Sequence, residues 1–136
     1  MGVALHVGDR SFEIGTSTFL KAFFSTVAVH AEGNTWGSRF PAVMNGLYEG
    51  RIDPETADAA LHELDSIQQA LTHHGPGELV WDFEDRGARP PWGDNISPTI
   101  TSLANYFVTS EGRDLFEVLR EGFRLAVETG EDAHIT

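Results

Sequence analysis

Between Val3 and Ala31 the apolar residues change their period, and this change narrows the possible folds more than any other feature. Val3, Leu5 and Val7 alternate with smaller or polar residues, Gly8-Asp9 offers a turn, and Phe12 and Ile14 resume the alternation. Such a period of two predicts a β-hairpin. After Gly15 the spacing lengthens: Leu20, Phe23, Phe24, Val27 and Ala31 fall three or four residues apart, the face of a helix over about 17–31. Thr16-Ser17-Thr18 supply candidate N-cap hydroxyls. A hairpin followed at once by a largely apolar helix calls for helix packed on sheet, an α+β arrangement.

Further along, Gly33 to Pro41 is loop chemistry carrying Trp36 and Phe40, and a short helix from Pro41 to Tyr48 with Gly50 as its stop is expected. Asp53-Pro54-Glu55 is a helix start, with an N-cap, a proline at the first helical position and an acid at the positive end of the dipole. Ala57, Ala60, Leu61, Leu64, Ile67 and Leu71 then make a narrow apolar stripe over about 54–73. Glu78 to Phe83 reads as a strand with Leu79, Trp81 and Phe83 on one face. The segment Glu84 to Asn95, rich in proline, glycine and charge, is a long loop of the kind that commonly carries function. Ile96 to Val108 fits a short helix or a strand. A last helix is expected at about 111–129, its stripe running from Gly112 through Leu115, Phe116, Leu119, Gly122, Phe123 and Ala126 to Val127, with Gly130 as cap. Ala133-His134-Ile135 could return as an edge strand. The prediction is a single domain over 1–136, with a small, mainly antiparallel sheet covered by about three helices.

Composition removes several function classes. With 136 residues, 40% of them hydrophobic, the chain is long enough for a core, and no apolar run approaches the ~20 residues of a membrane helix. The absence of cysteine excludes disulfides, thiolate nucleophiles and cysteine-held zinc or iron–sulfur sites. The N-terminus has no basic region followed by an apolar stretch, so a cytoplasmic location is expected. Nine Lys and Arg against 21 Asp and Glu leave a net charge of −12. That field disfavours nucleic acid and favours encounter with a basic protein, although acidity also simply keeps small proteins soluble.

Four sets of residues could carry chemistry. Asp82, Glu84, Asp85 and, across the loop, Asp94 are close enough in sequence to share acid–base duty, to hold a hard cation, or to form a solvated acidic face. No EF-hand spacing is present and no nuclease-type lysine follows Glu84. Among the histidines, His73-His74 point apart on a helix, His62 lies on a polar face, and His6 and His30 stand alone, so no metal site and no cofactor are expected. Gly-x-Ser-x-Gly and phosphate-binding loops are missing. Trp36, Phe40, Trp92 and Tyr106 are either core lids or anchors for a partner, with Arg39, Arg86 and Arg89 beside them.

The blocks WGSRFP (Trp36 to Pro41), VWDFEDR (Val80 to Arg86), RPPWGDNI (Arg89 to Ile96) and TSLANYFVTSEGRDLF (Thr101 to Phe116), with the opening IGTSTFLKAFFSTVA, resemble the immunity protein 70 family of bacterial polymorphic toxin systems. The resemblance implies a non-catalytic α+β protein, made beside a toxin gene, that binds the toxin domain in the producing cell and blocks it. It brings no catalytic or toxin-contacting residues with it. From the chemistry alone the expected contact surface is Asp82, Glu84, Asp85, Trp92 and Asp94, set against the basic cleft of a cognate toxin C-terminal domain, a cleft of the kind nucleases carry. Glu55, Asp58, Glu63 and Asp65 on the second long helix form a competing acidic face. The other readings are a small carboxylate- or metal-dependent hydrolase using Glu84, Asp85 and Asp94 with a histidine, and an acidic adaptor for some other basic protein. Monomer and dimer both fit.

Overall fold

A computed structural model describes residues 2–93 and 95–136. The hairpin forms where the alternation places it, with β1 (Gly2–Val7) antiparallel to β2 (Arg10–Thr16). Gly8 turns the corner at φ +57, a backbone state that glycine enters without steric penalty. The register slips between Val3 and Ala4, and beyond that bulge Leu5, Val7, Phe12 and Ile14 are all buried. The sheet has the order β2-β1-β4-β3, every pair antiparallel, with β3 at Arg51–Ile52 and β4 at Ala133–Ile135. The returning C-terminal residues are therefore an interior strand and not an edge. The expected strand at 78–83 is absent, and the two-residue β3 takes the remaining place in the sheet.

The helices follow their local signals. α1 (Ser17–Thr26) starts where Thr16 Oγ1 accepts from Phe19 N at 3.1 Å, and it runs on as a π-helical turn, Val27–Ala31. A second π-helical segment, Ala42–Leu47, stands where the short helix was predicted. α2 (Pro54–Leu71) opens with Asp53 Oδ1 accepting from Thr56 N at 2.7 Å. α3 (Leu115–Thr129) begins later than the stripe suggested: Gly112 sits in a turn at φ +80, and Asp114 caps the helix by accepting from Phe116 N. Val127, assigned to the stripe, is exposed. Gly122 lets α3 cross β1 closely, since a Cβ there would collide with the Leu5 side chain. Phe23 of α1 sits at the centre of the core, edge-on to Phe24, Phe107 and Phe116 at 5.3–5.7 Å.

Among the described residues from Leu79 to Asp114 there is no helix and no strand beyond a bridge between Val108 and Asp114. The ambiguous stretch 96–108 is thus neither of its two candidates. It winds through turns organised by Asn105, whose Oδ1 accepts from Thr101 N and Ser102 N while its Nδ2 donates to Thr99 O. Even so, Leu103, Ala104, Tyr106 and Phe107 are buried.

Candidate protein-binding surface

Residues 78–85 form an arm laid along α1. His30 Nε2 donates to Glu78 O at 2.7 Å; Thr26 Oγ1 donates to Val80 O at 3.1 Å and accepts from Val80 N at 3.2 Å; Ser25 Oγ accepts from Phe83 N at 2.9 Å. Ser25 and Thr26 are fully buried polar residues at the C-terminal end of α1, next to the buried Phe23, Phe24 and Val27. Burying a hydroxyl without a partner is costly, so these bonds fix the arm in place. They also explain why this apolar, β-prone stretch is no strand: helix side chains satisfy the backbone groups that a neighbouring strand would have taken.

The acids predicted for the site lie at the outer end of this arm. Lys21 of α1 reaches both Asp82 (3.5 Å) and Glu84 (3.4 Å). Asp82 Oδ1 also accepts from Glu84 N at 2.9 Å, and that hydrogen bond, with the Lys21 ammonium, holds the Asp82 carboxyl below its ordinary range. Asp85 is exposed and accepts from Gly87 N. Trp92 is 37% exposed; its indole N–H donates to Tyr106 Oη at 2.8 Å and its ring meets Trp81 edge-on at 5.4 Å. Asp94 lies outside the described residues. Tyr48, which the sequence reading passed over as the end of a short helix, is the most exposed aromatic here at 47%. It packs on Trp36 (4.9 Å) and Phe24 (5.3 Å), and with Lys21, Phe83 and Glu84 it lines a concavity of about 310 Å³. An aromatic closing an otherwise apolar segment was the available signal, but periodicity does not distinguish an exposed end from a buried one.

A family model described as immunity protein 70 matches residues 5–135. The chain belongs to the immunity protein 70 family. No curated protein and no solved structure gave a significant match. Membership places this chain among immunity proteins of toxin–immunity systems, whose role is to bind a cognate toxin and which are not expected to be enzymes. Among the described residues no helix is long and apolar enough to cross a membrane.

The blocks that carry the immunity protein 70 resemblance have identifiable structural duties. In WGSRFP the backbone wraps round Glu32, only 3% exposed, whose carboxylate accepts from Gly37 N, Arg39 N and Phe40 N at 2.8–3.0 Å. Trp36 donates to Met44 O, and Arg39 to Ala31 O. Trp36, Phe40 and Tyr106 are accordingly built into the body, which leaves Trp92 as the most exposed of the four loop aromatics. Arg86 bonds Asn34 Oδ1 and lies over the Phe83 ring, tying the far side of the arm to the turn after α1.

The competing acidic face is partly committed to the fold. Glu63 turns toward the second π-helical segment and accepts from Ala42 N and Val43 N at 3.1 and 2.9 Å, while Asp65 pairs with Arg120 of α3 at 2.9 Å. Glu55 and Asp58 remain exposed. Burial raises Glu63 and Asp114 above the ordinary carboxylate range, yet each of these acids is bonded to backbone amides at the start of a helical segment. The histidines depart from expectation. His30 and His74, distant in sequence, bring their rings to 4.2 Å, and His6 stacks on His134 across β1 and β4 at 5.2 Å.

Proposed function

We propose that this chain protects its producer by binding a cognate toxin domain one-to-one and covering a basic active-site cleft. Asp82, Glu84, Asp85, Trp92 and Asp94 form the contact surface, with Tyr48 added as an aromatic anchor. The observation that supports this reading is the arm itself: acids displayed on irregular backbone that helix side chains hold in a fixed shape, with Trp92 further along the same irregular segment and the helical Tyr48 beside Glu84. Preorganisation of that kind lowers the ordering cost of association, and Tyr and Trp are the residues that most often dominate interface energetics. Because Lys21 already pairs with two of the acids, the aromatics carry most of the affinity, and the charges mainly steer the encounter.

The test is co-expression with the toxin C-terminal domain encoded beside this gene, followed by co-purification. Rescue of growth with a stable complex is expected, with association slowing as salt is added. Tyr48→Ala should weaken the complex by ~2 kcal/mol or more, as an anchor does, and Glu84→Lys with Asp85→Lys should chiefly reduce the association rate. Unchanged affinity in all these variants would move the interface elsewhere, toward Glu55 and Asp58. Rescue without a complex would replace binding by repair of the toxin's damage.

A further inference from the structure

We propose that His30, His74 and Glu78 form a binding site for a borderline divalent metal ion of the zinc class, placed at the root of the arm. One ligand atom from each residue lies within 4.8 Å of the others. A tetrahedral zinc with bonds of about 2.1 Å needs donor separations of roughly 3.4 Å, so modest side-chain rotation closes the site. Two imidazoles and one carboxylate are the donor set that suits zinc and its neighbours better than calcium or magnesium. Three protein ligands leave a fourth position for water or a partner's side chain.

The surroundings hold these groups in place. Glu78 Oε2 accepts from Gly75 N at 2.7 Å and Oε1 from His74 Nδ1 at 3.0 Å, while His30 Nε2 donates to the Glu78 carbonyl. Zinc would take the place of the proton that His74 Nδ1 shares with Glu78 Oε1, two atoms 3.0 Å apart and close to the separation a shared tetrahedral ion needs, while His30, donating through Nε2, keeps an electron pair on Nδ1. His30 and His74 are half-buried and Glu78 is exposed, giving the ion both a shelter and an entry path. A chain of net charge −12 also attracts cations. The ion would join the π-helical end of α1 to the turn from which the arm departs. Val80, two residues beyond Glu78, is held by Thr26, and His74 O accepts from Leu103 N at 2.9 Å, so the start and a middle point of the irregular region are both tied near this site. Metal would tighten the arm.

The test uses the full chain stripped of metal, titrated with zinc and followed by calorimetry, by melting temperature and by histidine side-chain NMR. Binding of one zinc is expected, with a higher melting temperature, ring shifts confined to His30 and His74, and slower amide exchange over the arm. His30→Gln and His74→Ala should each weaken binding about tenfold or more, since even outer-shell partners of a metal carry that much, while His62→Ala should bind normally. No binding, binding retained in either variant, or ring shifts at His6 and His134 instead would overturn the assignment. The NMR readout on the unmutated chain keeps the test decisive should a variant fail to fold.

Discussion

The sheet and helices on one side, and the irregular segment 78–114 that begins with the arm on the other, solve the same problem in opposite ways. In the body, β1, β2 and β4 satisfy one another's backbone, and α2 and α3 satisfy their own. Packing then needs only the right apolar faces: Leu64, Ile67 and Leu71 from α2, and Leu115, Leu119 and Phe123 from α3. Among its described residues the irregular segment has no ladder of its own beyond the Val108–Asp114 bridge. Its backbone is bonded one group at a time by Ser25, Thr26, His30 and Asn105, and its aromatics dock on rings outside it, Phe83 on the half-buried Trp36 at 5.3 Å and Phe107 on the core residue Phe23. The lesson is that an irregular surface can be held in shape without regular structure, provided a helix spends buried polar side chains on it.

This contrast breaks most visibly in the body. Leu64→Ala removes a fully buried side chain of α2 and should lower the unfolding free energy by about 2–5 kcal/mol, as large-to-small core changes do. Chemical denaturation checks it, and a loss felt only in the arm would mean that the two regions are not one cooperative unit.

A middle-sized effect separates the regions directly. Thr26→Val keeps the shape of the side chain but deletes both bonds to Val80, leaving its backbone groups unpartnered at a cost of about 1–3 kcal/mol. Hydrogen exchange should quicken at 79–84 while α2 and α3 keep their protection. Uniform acceleration would show instead that the arm is not a separable layer.

The smallest effect concerns a carboxylate of the body. Burial, with the Glu32 carboxylate nearby, raises Glu63 above its ordinary value, so the folded chain holds this proton more tightly than the unfolded chain. The stability Glu63 contributes through its proton is therefore fully present below pH 4.5, its ordinary value, and is lost as pH rises through the raised folded value. In Glu63→Gln that component of the pH profile should vanish. A variant whose stability keeps the full slope above pH 4.5 would assign the effect to another group, with Asp114, raised by its own burial, the next to change.

Legibility in the sequence divides along the same line. α1, α2 and the hairpin were readable because their causes are local: alternation in β1 and β2, apolar spacing of three and four, and caps at Thr16 and Asp53 within three residues of the amides they serve. The proposed contact surface was readable only as a list of residue types. Asp82, Glu84 and Trp92 were visible candidates, but that Lys21 would stand between two of the acids, and that Tyr48 would be exposed beside Glu84, was not.

By itself, then, the sequence determined an acidic α+β domain, where most of its helices begin and end, and its family. Tertiary structure alone decided that 78–83 would lie on a helix and not in the sheet, that Arg51–Ile52 would supply the last strand, and that His30 would meet His74. The physical reason is range. Periodicity and capping act over a few residues, whereas a bond from Thr26 to Val80, or a strand of two residues, depends on partners that only the folded chain brings together.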